Sequence, residues 1–442
     1  MRRGPLGLLV FTLAGLLMPT LLYAQGSTPA PVINQADTAW MLIATALVLL
    51  MTPALAFFYG GLVGTKNVLN TMMMSVVALG FIGVLWAVVG YSIAFAPGGA
   101  LLGDTSLLFL KGVGLEAHGT IPHLLFMCYQ ATFAIITPAL ISGAIIGRMR
   151  FSAYVVFITL WSLIVYSPVA HWVWSPAGWL AQMGALDFAG GTVVHVNAGA
   201  AALVAAIVIG PRRGYPNVPT LPHNVPFTIL GAGLLWFGWF GFNAGSALAA
   251  NGSAALAFTT TMLAPAGTLL VWTLLDAART QKPTAVGGAT AIVVGLVAIT
   301  PAAGFVGPMS AIVLGGLAAI PSYFGLQWRA RTSLDDSLDV VAAHGLGGTF
   351  GALLTGVFAQ KALNGTADGL LFGNPGQLGI QAIAVATTIL YSGVLTFVLL
   401  KLVGMVVPLR ADAEDEVTDL DERLHGEEAY VHAGGVSALS GH

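Results

Sequence analysis

Eleven apolar stretches, each long enough to cross a lipid bilayer, run along this chain and decide which solvent it can fold in. They lie near residues 36-58, 70-95, 123-147, 151-170, 190-210, 226-243, 254-276, 284-301, 306-325, 339-359 and 378-407. Composition agrees: 57% of the residues are hydrophobic and 8% are charged, where a soluble domain carries roughly 25% charge. The 56 glycines, which in water would suggest loops, let helix backbones approach closely in lipid. The single cysteine, Cys128, excludes an intrachain disulfide and argues against a cysteine-based metal site. No basic patch of the kind that binds nucleic acid is present. The expectation is an all-α polytopic membrane protein.

The ends and the charges give an orientation. Met1 to Ala24 reads as a secretory signal peptide, with Arg2 and Arg3 before the apolar run Leu6 to Leu17 and a plausible cleavage site before Gln25. An uncleaved extra helix is the competing reading. Cleavage puts the mature N-terminus outside and points to a bacterium with a periplasm, hence to its inner membrane. Eleven spans then place the C-terminus in the cytoplasm. The predicted inner loops hold Lys66, Arg148, Arg150, Arg212, Arg213, Arg279, Lys282, Arg329 and Arg331, and the outer loops only Lys111 and Lys361. That is a strong positive-inside bias. The membrane domain is expected over residues 25-407. The tail, 408-442, carries half of the 18 acidic residues, from Asp412 to Glu428, and reads as a cytoplasmic segment, partly disordered or docked under the bundle.

A repeat appears where the chemistry is. Asp187 precedes His195 by eight residues, and Asp336 precedes His344 by the same interval. Small residues follow each histidine: Ala198, Gly199 and Ala202, then Gly347, Gly348 and Gly351. The histidines fall on the fifth and tenth spans, which run in opposite directions. This predicts two inverted five-helix repeats plus a C-terminal helix. Eight helical residues rise roughly 12 Å, which carries both rings from opposite faces toward the middle of the bilayer. An intramembrane histidine is costly and usually faces a cavity or a partner, and its nitrogens can donate, accept and relay protons. A lone one would read as a tie between helices; a symmetry-matched pair reads as function. Asp187 suits a helix N-cap, or a fixed carboxylate shaping an outer cation site without touching the ligand. The run from Trp236 to Ser246 crowds aromatic rings, glycines and a hydroxyl at an external helix end, on the same side as Trp174. An indole face can hold a small cation, and a hydroxyl can accept a hydrogen bond from it.

At these residues the chain resembles the ammonium transporter, methylammonium permease and Rhesus family, especially its bacterial ammonium channels. The matching blocks are Asp187-Phe188-Ala189-Gly190-Gly191-Thr192-Val193-Val194-His195, Gly241-Phe242-Asn243-Ala244-Gly245-Ser246, His344-Gly345 and His425-Gly426-Glu427-Glu428-Ala429-Tyr430. The resemblance covers essentially the whole mature chain; the segment from Trp174 to Asp187 and the acidic tail have their own sequence. It implies a homotrimer with one pore per subunit and ammonium or ammonia as the substrate. Trp174 and Ser246 would form the external cation site, with Asp187 the structural carboxylate beside it. Phe133 and Phe242 would stack as a gate below, and His195, His344 and Trp239 would line a narrow, mostly apolar lumen. The tail resemblance implies a PII-type nitrogen-signalling partner at the cytoplasmic face, bordered by Arg212, Arg213 and the segment after Arg410. No enzyme activity, cofactor or metal is expected. Two other readings compete: a membrane haem or electron-transfer protein with His195 and His344 as axial ligands, and an ammonium sensor.

Overall fold

The computed structural model describes residues 32–430 except Pro219; the segment read as a signal peptide and residues 431–442 lie outside the described residues. The eleven spans are α1 (Gln35–Leu62), α2 (Thr65–Phe95), α3 (His123–Ile145), α4 (Phe151–Trp161, continuing through a wide turn, Ser162–Tyr166, into Ser167–Trp174), α5 (Gly191–Ile209), α6 (Val225–Ala244), α7 (Gly252–Thr280), α8 (Ala285–Ile299), α9 (Pro308–Arg329), α10 (Val341–Phe358) and α11 (Pro375–Val406). Every expected span is present with ends shifted by a few residues. Ten spans have the length and hydropathy to cross a membrane, and α8 is a shorter apolar helix. A two-stranded hairpin, Ala117–His118 with Ile121–Pro122, sits in the loop before α3.

The helices show why lipid is their solvent. Their outward faces leave Ile43 58%, Val84 66%, Leu270 60% and Leu390 67% exposed, which water would penalise and hydrocarbon does not. Their inward faces are small and polar enough to bond one another. Thr260 Oγ1 in α7 donates to the Ala303 carbonyl, and Thr268 Oγ1 donates to Gly315 in α9. The two halves start alike. Asn34 caps α1 by accepting from the Ala36 and Asp37 N–H groups, and Asn224 caps α6 by accepting from Phe227. These two helices pack along each other more extensively than any other pair, at the junction of the inverted halves.

At one end of the bundle, here the basic end, three loops are tied by one buried guanidinium. Arg148, between α3 and α4, is fully buried. It donates to the carbonyls of Gly210 after α5, of Ala144, and of Asp335 before α10, and to Ser337 Oγ. Burial pulls its pKa down to about 10, which still leaves it charged at neutral pH. The Asp335 carboxylate, also buried, is gripped from the other side by Arg212 at 2.7 and 2.9 Å. The tail docks beneath. Asp421 accepts from the Leu69 and Asn70 N–H groups at the start of α2, and Arg150 pairs with Asp412 at 2.8 Å.

Removing Arg148 therefore strands three carbonyls and half of the neutralisation of Asp335. Arg148→Ala should cost roughly 3 kcal/mol, read as a clear drop in the thermal unfolding midpoint of the purified protein. An unchanged midpoint would show that the loops hold without it.

Candidate functional site

The site begins at a helix start. Before α5 the chain turns so that one carboxylate meets four backbone donors. Asp187 Oδ1 accepts from Gly190 and Gly191 at 2.8 and 2.6 Å, and Oδ2 from Thr192 and Val193 at 2.8 and 3.0 Å. All the N–H groups that a helix start leaves unpaired are thus satisfied in a buried place. The side chain of Asp187 faces this helix and not the open space beside it. Its link to the aromatic residues runs through its carbonyl, which accepts from Trp174 Nε1 at 3.0 Å. At the basic end Asp336 does the same for α10 with fewer donors, accepting from Val340 and Val341 at 3.1 and 2.7 Å.

Both capped helices open with a wide π-helical turn, Gly191–Val196 and Val341–Leu346, and each turn carries its histidine. The regular eight-residue rise read from the sequence is therefore replaced by a cap and a widened first turn. The outcome for the rings is the expected meeting: His195 Nδ1 lies 3.1 Å from His344 Nδ1. The small residues after each histidine make this possible. A Cβ on Gly199 would collide with the backbone of Gly345, and one on Gly348 would lie 2.9 Å from His195 Cβ.

The remaining rings form a column. His195 stacks on Trp239 with centroids 5.4 Å apart and on His344 at 5.2 Å. Phe242 stacks on Phe133 at 4.2 Å, and Phe133 meets Trp174 edge-on at 5.7 Å. Ser246 joins through Tyr129, whose hydroxyl is 3.2 Å from its Oγ and whose ring lies 5.0 Å from Phe133. Trp174 and Ser246 are half-buried at the mouth, while Phe133, Phe242 and Trp239 are buried. Beside the column runs a narrow space lined by Leu55, Ile136, Leu140, Val194, Leu235 and the two histidines. Its free volume is about 10 Å³, near the minimum that holds one small molecule. Past His344 it gives way to a cavity of about 260 Å³ bordered by Thr290, Asp276, Tyr323 and Asp339.

The histidine contact fixes a chemistry. Two Nδ1 atoms at hydrogen-bond distance share one proton, so with both rings neutral one Nε2 is an acceptor and the other an N–H donor. His195 Nε2 is buried and has no hydrogen-bond partner, which is costly unless something polar visits it. This arrangement does not fit the haem reading. Nitrogens on opposite sides of a metal stand roughly 4 Å apart, with a macrocycle between them, whereas these rings touch at 3.1 Å and lie 27° from parallel.

Three positioning residues escape the sequence reading. Tyr129 donates to the Gly241 and Phe242 carbonyls and so holds the end of α6 that carries Ser246. Thr300 accepts from Trp239 Nε1 at 2.8 Å. Gln381 in α11 clasps Leu186, accepting from its N–H and donating to its carbonyl, both at 2.7 Å, and thereby seats the Asp187 turn. Gln381 carried a signal, because a polar amide deep in an apolar span needs a partner; Tyr129 and Thr300 did not.

With this geometry in hand, known proteins give a consistent picture. Residues 39–430 match the model of the Ammonium Transporter Family. The ammonium transporter of Bacillus subtilis is 46% identical over 89% of this chain and 98% of its own length. That of Aquifex aeolicus is 50% identical over 90% and 94%. Among solved structures, Saccharomyces cerevisiae Mep2 superposes with a TM-score of 0.81 at 34% identity, covering 86% of this chain and 88% of Mep2. A structure described as a sensor Amt protein superposes with a TM-score of 0.82 at 30% identity, covering 87% and 97%. A helical bundle with two capped, histidine-bearing helices meeting at its centre, matched along nearly its whole length, belongs to the ammonium transporter family.

Proposed function

We propose that the protein carries ammonium nitrogen across a bacterial inner membrane as ammonia, through the narrow space beside His195 and His344. The observation that carries this reading is the unpartnered Nε2 of His195 in a buried, otherwise apolar passage. A cation pays heavily to enter such a passage and neutral ammonia pays little. Trp174 and Ser246 take the cation at the mouth, through the indole face and the hydroxyl oxygen. The ammonium ion gives its proton to water at the mouth, above the Phe133–Phe242 stack. Ammonia then passes Trp239 and bonds the Nε2 atoms of the histidine pair, while hydrated sodium and potassium stay outside. Asp187 acts from a distance, by fixing α5 and Trp174. On this reading the aromatic end and the mature N-terminus face the periplasm and the basic end and tail face the cytoplasm, which the positive-inside bias of the loops supports. The protein works as a homotrimer, which gives the exposed apolar residues Leu42 and Ile43 of α1 and Ile229 of α6 a partner. A PII-type protein docks at the basic end, where a cavity of about 300 Å³ is bordered by Arg212, Arg213, Tyr215 and Arg329.

The central test is uptake of radiolabelled methylammonium by proteoliposomes, with empty liposomes as the baseline. Wild-type protein should exceed that baseline without a matching sodium or potassium flux. His195→Ala and His344→Ala should each lower uptake about tenfold or more, since each removes a hydrogen-bonding nitrogen from a dry passage, while leaving assembly on size-exclusion chromatography intact. Full uptake by well-folded single variants would sink the mechanism; wild-type uptake no faster than empty liposomes would sink the function.

Recruitment at the mouth makes a different demand. A cation–π contact contributes roughly 0.5–2 kcal/mol, so Trp174→Leu should raise the concentration for half-maximal uptake by roughly two- to thirty-fold and weaken discrimination against potassium. Ser246→Ala should act in the same direction and more weakly. If both variants keep the wild-type concentration dependence, the cation is held elsewhere.

Docking of the partner is checked by capturing the cognate PII protein on immobilised transporter under each nucleotide condition. Binding should fall for Arg213→Glu, whose side chain is 56% exposed at the basic end. No capture by the intact protein under any condition would count against this partner.

A further inference from the structure

On the outside of the bundle, between α5 and α11, an open groove of about 370 Å³ is walled entirely by apolar residues: Val204, Ile207 and Val208 on one side, Gly393, Val394 and Phe397 on the other. Ile207 is 62% exposed and Val394 60%. Gly393 forms its floor. A Cβ there would meet Val204 Cγ2 at 3.7 Å, an ordinary contact. Helix packing therefore does not demand the glycine; its missing side chain keeps the notch open.

The same face of α11 carries a cation. Residues 393, 397 and 401 follow one another at four-residue steps, so Lys401 continues the groove wall. It is exposed, and its Nζ lies 5.4 Å from the centre of the Phe397 ring. Both helices run toward the basic end. Gly393 lies beside Val204, and eight residues further is a rise of about 12 Å, which brings Lys401 level with the end of α5 at Ile209 and the turn after it. α5 ends there and α11 runs on to Val406, so Lys401 lies in the last turn and a half of its span, one to two turns beyond the notch, from where a lysine side chain snorkels to the lipid headgroups. Two arginines near the end of α11 are already engaged: Arg410 with Glu416 and with the Ile209 and Pro211 carbonyls, and Arg150 with Asp412. No ion pair among the described residues includes Lys401.

We propose that this groove is the binding site of one anionic phospholipid, with an acyl chain in the Val204–Gly393–Phe397 notch and the phosphate on the Lys401 ammonium. The apolar walls exclude a soluble anion, and the unmatched cation at headgroup depth selects an anionic lipid over a zwitterionic one. The site is independent of the transport pathway and stands whatever passes the histidines.

The test uses the full-length protein in vesicles that contain a photo-crosslinking phosphatidylglycerol or a phosphatidylcholine with the same acyl chains, with labelled peptides mapped after irradiation. Phosphatidylglycerol should label the 393–397 segment about fivefold more than phosphatidylcholine, the effect of one lysine near a headgroup layer. Lys401→Gln should erase that preference while leaving the phosphatidylcholine level, and Lys401→Arg should keep it. Gly393→Leu, which fills the notch, should remove labelling by both lipids. Equal labelling of the wild type by the two lipids, or a preference that survives Lys401→Gln, overturns the proposal. So does competition by millimolar inorganic phosphate, which would assign Lys401 to a free anion. A groove that neither lipid labels would mean that a second copy of the chain covers it, which overturns the proposal equally.

Discussion

The positions of His195 and Trp174 depend on four N–H groups that point at one carboxylate. A helix that starts inside a lipid-embedded bundle has no water for its first donors, and each donor left bare costs about as much as a lost hydrogen bond. Asp187 takes all four. The charge that does this is itself expensive to bury, and only a full set of donors makes it tolerable. Once that account is closed, the first turn of α5 is pinned, and with it the ring of His195, the carbonyl that holds Trp174 and the seat that Gln381 provides from α11. A carboxamide at this position could offer only one acceptor oxygen, so the pinning belongs to the carboxylate and not to its shape.

Given fixed helix starts, the pairing of the rings is a packing problem, and glycine solves it. The two histidine helices cross in direct backbone contact at Gly199 and Gly345, with Gly348 against His195. Larger residues would separate the helices and with them the Nδ1 atoms, which have no other partner within reach. The pair then polarises its own surroundings. One shared proton makes the two rings unlike, one Nε2 an acceptor and the other a donor, inside walls of leucine, isoleucine and valine. A passage of this kind is hostile to charge and hospitable to a small neutral molecule that can both give and take a hydrogen bond. That is the physical content of the proposed ammonia pathway.

Much of this was legible in the sequence, and the reason differs from element to element. The spans were readable because hydrocarbon thickness sets their length and because α1 to α11 carry few charges. The matched intervals from Asp187 to His195 and from Asp336 to His344 point to the inverted halves, although two such pairs alone are a short motif and it is the opposite direction of their spans that gives them weight. Expecting small residues to let helices approach was right for Gly199 and Gly348. What the sequence hid was local geometry. The widened first turns of α5 and α10 follow from how the caps aim the backbone, which no spacing encodes. Tyr129 and Thr300 act on other residues through single hydrogen bonds from distant helices, and either would pass for an ordinary core residue. The sequence does not show the docking of the tail through Asp421, because an acidic run reads as solvated until the helix start it caps is found.

The inverted halves share a skeleton but not their mouths, and that difference bounds what the site can do. Asp187 closes α5 beside Trp174, whose indole N–H bonds its carbonyl. Asp336 closes α10 among charges, with Asp339 paired to Arg329 at 2.5 Å beside it. Burial raises the pKa of both Asp336 and Asp339, and the Arg329 guanidinium pulls each back down. On the proposed reading, such asymmetry sets how tightly each mouth holds a ligand and how each responds to a partner. It cannot set the direction of net flow, because a neutral molecule in an open passage moves down its own gradient whichever mouth binds it better. On the proposed reading, direction comes from the ammonium and proton gradients outside the protein. The unlike mouths then serve recruitment at the aromatic end and control at the basic end.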